Sequence, residues 1–272
     1  MKRRLKMIAS LSTLAAAGAL ALSGCGGEGE SEGAEGEADA SAISGEAESE
    51  SESDSSAGGE SEAAVRSGDP ATDDVEFLRL LALVRGHLNA FIELQHGGEA
   101  EMARMHVKHP ESELYSSLVP ALEARKLPGF ADELRALAAA AEEGANTDEA
   151  YSAAINAIAS QEPKASVSKR LLAASEVVRV AADEFDVGVE DDGTVSNAHE
   201  YQDAYGFLIA ARDLVAGAET TDVNETDALG LAHEQIEAAL ASFNGLTVGQ
   251  TDGRSSALYG AAARIEIAAR GI

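Results

Sequence analysis

Apolar residues along most of this chain recur with the spacing of an α-helix. Between residues 73 and 96 they stand three and four positions apart, and Gly97 and Gly98 follow at once. This spacing places the apolar side chains on one helix face, and glycine commonly ends a helix. A helix from about Asp73 to His96 is therefore predicted.

The same pattern predicts further helices with loops of a few residues between them. They run over about 99–109, 130–143, 147–160, 167–185, 197–215, 226–243 and 255–269. Between the first two of these, Pro110 disfavours helical angles in the residue before it, and Pro120 is predicted to open another helix as a first-turn residue.

Strand-like alternation is almost missing, which predicts an all-α fold. Short loops favour antiparallel neighbours, so the expected architecture is an up-and-down bundle of seven to nine helices. A division into two sub-bundles near residue 163 is an open alternative, because Pro163 interrupts the pattern there.

Before the helical domain lies a segment of a different composition. Residues 26–64 consist of Gly, Ser, Ala, Glu and Asp with a single Ile43, and include 13 acidic and no basic residues. Such a segment cannot bury enough apolar surface to offset its chain entropy. Residues 25–70 are therefore predicted to be a disordered acidic linker, and residues 71–272 an all-helical domain.

The net charge of the whole chain is −28, so the helical domain is acidic as well. Nucleic acids and anionic lipid surfaces require clustered Lys and Arg, so neither is an expected partner. Two explanations of the excess acid stay open. One is solubility, including adaptation to a salty environment. The other is attraction of cations or basic proteins.

The N-terminus has the form of a targeting segment. Lys2, Arg3, Arg4 and Lys6 precede an uncharged apolar run, which ends at Leu22-Ser23-Gly24-Cys25. The run is too short and too rich in small residues for a spanning helix, and is typical of a signal peptide. A generic secretory signal with an unmodified thiol is the alternative.

These four residues resemble the lipobox of bacterial lipoproteins. The resemblance implies that residues 1–24 are a signal peptide, and that Cys25 becomes lipidated and is the first residue of the mature chain. It implies a lipid-anchored location in the cell envelope, with Cys25 holding the chain to a membrane. In a Gram-negative cell this would be the outer membrane, facing the periplasm or the exterior. Since Cys25 is the only cysteine, its acylation would leave no thiol for catalysis, disulfides or metal binding.

Histidine is the residue type that points to chemistry. Met102, His106, His109 and Glu113 stand at i, i+4, i+7 and i+11, which is one face of an unbroken helix. His87 lies on the apolar side of the first predicted helix. Imidazole with carboxylate suits iron, copper or zinc, and helical bundles build such sites from facing helices. The predicted metal ligands are therefore His87, His106, His109 and Glu113; the alternative is that these histidines are ordinary core residues.

Two later helices contain acid–histidine pairs at i, i+4, namely His199 with Asp203 and His233 with Glu237. Each pair could converge on one ion, although such pairs are also ordinary on acidic helices. Glu176 and Glu266 stand in apolar runs and are candidate ligands or supporting groups, because a buried carboxylate needs a partner or a metal.

Resemblance to known families adds little beyond location. The stretch from Gly86 to Glu113 resembles segments of uncharacterised bacterial helical lipoproteins. Imelysin-type periplasmic iron proteins are helical too, but their His-x-x-Glu motif is replaced here by His106-x-x-His109, so their site is not transferred.

No Gly-rich phosphate loop or Gly-x-Ser-x-Gly elbow is present, and the sequence does not favour an enzyme. Two functions stay open. One is an envelope lipoprotein whose helical domain binds a metal ion or metal complex. The other is a structural lipoprotein that meets an envelope protein partner and has no small ligand.

Overall fold

A computed structural model describes residues 68–109 and 114–272. The predicted signal peptide, Cys25 and nearly all of the acidic linker lie outside the described residues, as does Glu113. Helices dominate the described part, and extended pairing there is limited to the isolated bridges Val189–Val195 and Thr194–Gln250. The helices are α1 Asp74–His96, α2 Ala100–His109, α3 Tyr115–Arg125, α4 Ala131–Glu142, α5 Asp148–Ser160, α6 Val167–Gly188, α7 Ala198–Ala216, α8 Val223–Leu240 and α9 Ser255–Arg270.

The all-α prediction is confirmed, and the ends of α1 show why the sequence located it well. The Asp73 side chain accepts a hydrogen bond from the backbone N–H of Val75, as an N-cap does. At the other end Gly98 has a φ of 86°, and the carbonyl of Leu94 accepts from the N–H of Glu99 at 2.9 Å. Local chemistry alone fixes both ends of this helix.

Pro120 does not open a helix as predicted, because it lies inside α3. An interior proline removes a hydrogen bond and costs a helix about 3 kcal/mol. The same helix buries Leu118, Ala121 and Leu122 in the core. Tertiary packing of this face therefore outweighs the local preference of proline.

The helices form two groups that share α1. In one group α6, α7, α8 and α9 pack on one another as a four-helix bundle. In the other, α2, α3 and α5 pack on α1, and α4 packs on α2 and α5. Because α1 also packs on α6 and α7, the described residues belong to one compact unit rather than to separate lobes.

The central position of α1 explains its burial on every side. Every residue from Val75 to Ile92 is buried, including the charged and polar ones. Among the described residues, no helix combines the length and the apolar character needed to cross a membrane.

Close contact between α1 and α7 is made possible by glycine. A Cβ atom at Gly206 would lie 2.2 Å from the carbonyl oxygen of Gly86, and one at Gly86 would lie 2.2 Å from the ring of Phe207. Any side chain at either position would force the helices apart. This crossing brings the next residue of α1, His87, against α7.

Candidate metal centre

Three helices deliver buried polar side chains to one point beside the crossing. Nδ1 of His87, from α1, lies 2.7 Å from Oδ1 of Asp203 on α7. Nδ1 of His106, from α2, lies 2.8 Å from the same oxygen. All three residues are at most 2% exposed, so solvent does not share in these contacts.

The second ring nitrogen of His106 is held by Gln202. Nε2 of His106 lies 2.8 Å from Oε1 of Gln202. The amide nitrogen of Gln202 donates to the carbonyl of Leu246 at 3.0 Å and to the sulfur of Met102 at 3.5 Å. Since both of those groups are acceptors, the amide oxygen faces His106, and Nε2 of His106 must be the donor.

This orientation determines what Nδ1 of His106 can do. With the Nε2 proton in place, a neutral imidazole turns the lone pair of Nδ1 toward the carboxylate of Asp203. Two lone pairs at 2.8 Å repel, so a proton or a metal cation has to stand between them. Histidine ligands of metals commonly donate their other ring N–H to an acceptor in this way.

The electrostatics of Asp203 fit a cation site. Burial by itself disfavours an ionised carboxylate, but His87 and His106 more than offset it and hold the pKa of Asp203 well below its usual range. Asp203 is therefore a buried anion, and its partners have to supply positive charge.

A second group of donors lies on α7 itself. Nδ1 of His199 lies 3.3 Å from Oδ2 of Asp203 and 3.9 Å from Oε1 of Glu200. The ring of His199 also stacks in parallel on that of His106, with centroids 4.4 Å apart. Asp203 thus has one oxygen toward His87 and His106, and the other toward His199.

Glu200 and His199 shift each other's protonation. Burial disfavours the charged form of His199, but Glu200 and Asp203 outweigh it and raise the pKa of the imidazole. Burial likewise opposes ionisation of Glu200, but hydrogen bonds with His199 and with Glu184 of α6 lower its pKa. Glu184 is 1% exposed, so a second carboxyl group reaches this position from the neighbouring helix.

Both groups have the donors that a transition metal requires. One ligand atom from each of His87, His106 and Asp203 lies within 4.8 Å of the others, and the same holds for His199, Glu200 and Asp203. One ion with ligand bonds of about 2.0–2.2 Å can span such distances after small adjustments. Nitrogen and oxygen donors of this kind suit zinc, iron and copper.

The structure brings together two of the four predicted ligands. His87 and His106 meet at Asp203. His109 is the last residue of α2, and its side chain lies outside the described part of the chain, as does the whole of Glu113. Sequence reasoning paired Asp203 with His199 but missed its contacts with α1 and α2. The sequence has no local signal for these contacts, because only the fold shows that Glu200, Gln202 and Asp203 are buried.

Other polar candidates lie elsewhere. His233 and Glu237 are exposed on α8. Glu176 and Glu266 are not ligands of this centre, because both pair with Arg179, at 3.7 Å and 3.0 Å. An arginine satisfies these partly buried carboxylates without a metal.

A surface cavity of about 350 Å³ lies next to the loop that holds Gln202. Glu93, Glu99, Tyr205, Phe243 and Leu246 contribute to its wall. The carbonyl of Leu246 also accepts the hydrogen bond from Gln202, so the cavity wall is in direct contact with the residue that holds His106. Glu93 and Glu99 make the cavity acidic.

Comparison with known proteins gives one similarity. Residues 159–255, about a third of the chain, match the family of the iron permease-associated 4-helix bundle domain. No curated protein and no solved structure matches the chain. The matched stretch contains α6, α7 and α8, and with them Glu184, His199, Glu200 and Asp203. The helical bundle of this chain is therefore similar, over these helices, to a domain associated with iron permeases.

Proposed function

We propose that this protein binds a transition-metal cation in its helical domain and works in the cell envelope as a lipid-anchored partner of metal transport. Iron is the first candidate, and zinc and copper are the alternatives. The observation on which this rests is the buried contact of His87 and His106 with the single carboxylate oxygen of Asp203.

The chemistry of this contact favours exchange of protons for metal. The ligand nitrogens must lose their protons before a cation can bind. The positive charge of the ion then takes the place of the positive charge of those protons. Affinity is therefore expected to fall as the pH falls, because protons compete with the cation for the ring nitrogens. A cation held by two neutral imidazoles and one carboxylate leaves coordination positions for further ligands.

The choice of iron rests on the family similarity. The matched family is described as iron permease-associated, and the matched helices contribute Asp203, the residue common to both donor groups. The acidic cavity lined by Glu93 and Glu99 offers an approach for a cation from solvent. A role in delivering iron to a permease, or in receiving it, agrees with both observations.

The envelope location rests on the sequence. The lipobox-like Leu22-Ser23-Gly24-Cys25 supports an acyl anchor, and the acidic segment after it would act as a spacer between membrane and bundle. Replacing Cys25 with Ser should move the full-length chain from the membrane fraction to the soluble fraction of its host. A Cys25→Ser chain that still partitions with membranes would contradict the anchor.

Metal binding is tested on the purified chain with Fe²⁺ under anaerobic conditions, followed by equilibrium dialysis and elemental analysis. His87→Ala/His106→Ala should lower the affinity at least tenfold, because it removes both nitrogen ligands. His233→Ala, which removes an exposed histidine on α8, is the matched control and should leave binding unchanged.

Two results would overturn the proposal. One is a wild-type chain that binds none of Fe²⁺, Zn²⁺ and Cu²⁺ above the background of a dialysis blank without protein. The other is an unchanged affinity in the double variant. Either would favour the alternative of a lipoprotein that works through protein contacts alone.

A further inference from the structure

Asp203 belongs both to the group formed with His87 and His106 and to the group formed with His199 and Glu200. Each of its two carboxylate oxygens faces one of these groups. Oδ1 faces His87 and His106, at 2.7 Å and 2.8 Å. Oδ2 accepts no hydrogen bond within the described residues, although His199 Nδ1 lies 3.3 Å away. A buried carboxylate oxygen without a hydrogen bond costs free energy, so this oxygen is available to a second positive centre.

The second side has a carboxylate of its own. Glu200 is 8% exposed and Glu184 is 1% exposed, and the Glu184 side chain on α6 adjoins that of Glu200. One carboxylate oxygen of Glu200 lies within 4.8 Å of both a ring nitrogen of His199 and an oxygen of Asp203. A cation at this place would have Glu200 as an oxygen ligand, with Glu184 beside it.

The two sides are also close enough to act as one centre. The rings of His106 and His199 stack with centroids 4.4 Å apart and an angle of 3° between them. Metal pairs in two-metal sites lie about 3.5–4 Å apart. The stacked rings would thus direct one nitrogen each to neighbouring ions on the two sides of Asp203.

We propose that the buried cluster is a two-cation centre, in which Asp203 bridges one ion held by His87 and His106 and a second held by His199 and Glu200. Glu184 completes the second position from α6. The ligands belong to a class that suits divalent first-row transition metals, and Fe²⁺ is the probe of choice. This inference rests on the proposed function and deepens it, since it assigns a second ion to the same centre.

The first test is the stoichiometry of the full-length chain. Anaerobic titration with Fe²⁺, read out by equilibrium dialysis and elemental analysis, should reach two ions per chain. One ion per chain would overturn the two-cation centre and leave the proposed function standing. No bound ion would overturn both.

Variants separate the two positions. His199→Ala/Glu200→Gln should lower the stoichiometry from two ions to one, because it keeps His87, His106 and Asp203. His233→Ala/Glu237→Gln is the matched control, since it makes the same changes in an exposed i, i+4 pair on α8 and should keep both ions. An unchanged stoichiometry in the first variant would contradict the assignment of its residues.

Bridging by Asp203 has its own test. Asp203→Asn should reduce the stoichiometry by more than one ion, whereas two independent sites would lose one at most. Electron paramagnetic resonance of the wild-type chain loaded with Mn²⁺ gives a readout without substitution. A bridged pair shows a spectrum broadened by coupling between the ions, and the resolved hyperfine pattern of isolated ions at full loading would overturn the bridge.

Discussion

Arg85 and His87 stand two residues apart on α1, and their side chains enter two different clusters of buried charge. Arg85 lies 2.9 Å from Oε1 of Glu162, and Arg170 lies 3.0 Å from the other oxygen of the same carboxylate. His87 shares Asp203 with His106. In both clusters two basic residues from different helices meet at one acidic residue.

The difference lies in what the basic groups can release. Arginine keeps its proton at every accessible pH and has no lone pair for a metal, so the cluster at Glu162 has one composition only. Histidine can lose its proton and then bind a cation. The cluster at Asp203 has the groups to hold either protons or a metal, whereas the cluster at Glu162 has no such alternative.

The largest effect is expected where a permanent charge is removed. Arg85→Met should lower the free energy of unfolding by about 3 kcal/mol, because it removes the buried member of a partly buried charge cluster and leaves Glu162 with Arg170 alone. The amount of metal bound per folded chain should not change. Urea denaturation with elemental analysis measures both, and Arg135→Met, at a pair exposed to solvent, is the control. A loss well below 1 kcal/mol, or a loss of metal, would remove the contrast between the clusters.

The helix crossing should affect stability and metal together. Gly206→Ala places a methyl group 2.2 Å from the carbonyl oxygen of Gly86. Overpacking of this kind costs about 2 kcal/mol, and separation of α1 from α7 should weaken metal binding because it moves His87 away from Asp203. Thermal unfolding and metal titration are the measurements.

Gly230→Ala on α8 is the matched control for that change, because no atom lies within 4 Å of its added Cβ. It should raise the unfolding free energy by about 0.5–1 kcal/mol, since alanine favours a helix over glycine. Equal effects of the two substitutions would show that the close contact at Gly206 is unimportant.

A smaller effect is expected from the residue that orients His106. Gln202→Leu should weaken metal binding about tenfold, because a residue that accepts the second ring N–H of a histidine ligand contributes about this much to affinity. Metal titration measures the change, and Gln235→Leu on α8 serves as the control. Unchanged affinity would mean that Gln202 does not set the orientation of the imidazole.

The smallest effect is expected at a partly exposed ion pair far from the cluster. Hydrogen bonds from Lys169 and then Arg125 lower the pKa of Asp74, against a smaller opposing effect of burial. The carboxylate thus stabilises the fold above the unfolded pKa of about 3.9, and this contribution disappears as the pH falls through the lower folded value.

Asp74→Asn should therefore destabilise the chain by less than about 1 kcal/mol at pH 7, because solvent screens this pair. The difference from wild type should vanish in acid, where Asp74 is protonated in both states. Urea denaturation across the pH range measures this difference. The control is Asp132→Asn, which removes the acidic partner of an exposed i, i+3 ion pair with Arg135. A difference that persists at low pH would assign the effect to packing.

The helices could be predicted from sequence because their signals are local. Apolar spacing gave the positions of eight segments, and caps such as Asp73 and Gly98 depend only on neighbouring residues. The prediction for Pro120 was wrong because it considered only the local preference of proline for the first turn of a helix. The burial of Leu118, Ala121 and Leu122 on α3 outweighs that preference.

The candidate site was predictable only in part. His87 and His106 could be proposed because their residue type and apolar surroundings are visible in the sequence. His109 and Glu113 were added from helical spacing, and no described side chain tests them. Gln202, Glu184 and Glu200 were missed, since nothing local shows that polar residues on α6 and α7 face the same interior.

Spacing, composition and charge are properties of the chain alone, so an all-helical domain, its acidity and the residue types available for chemistry could all be predicted. The meeting of α1, α2 and α7 at Asp203 is instead a product of the packing between helices. That convergence depends on the contact between Gly86 and Gly206, which are 120 positions apart in the chain. A Cβ atom at Gly206 would lie only 2.2 Å from the carbonyl oxygen of Gly86. Contacts of this kind arise from packing between helices, and the periodicity within one helix cannot specify them.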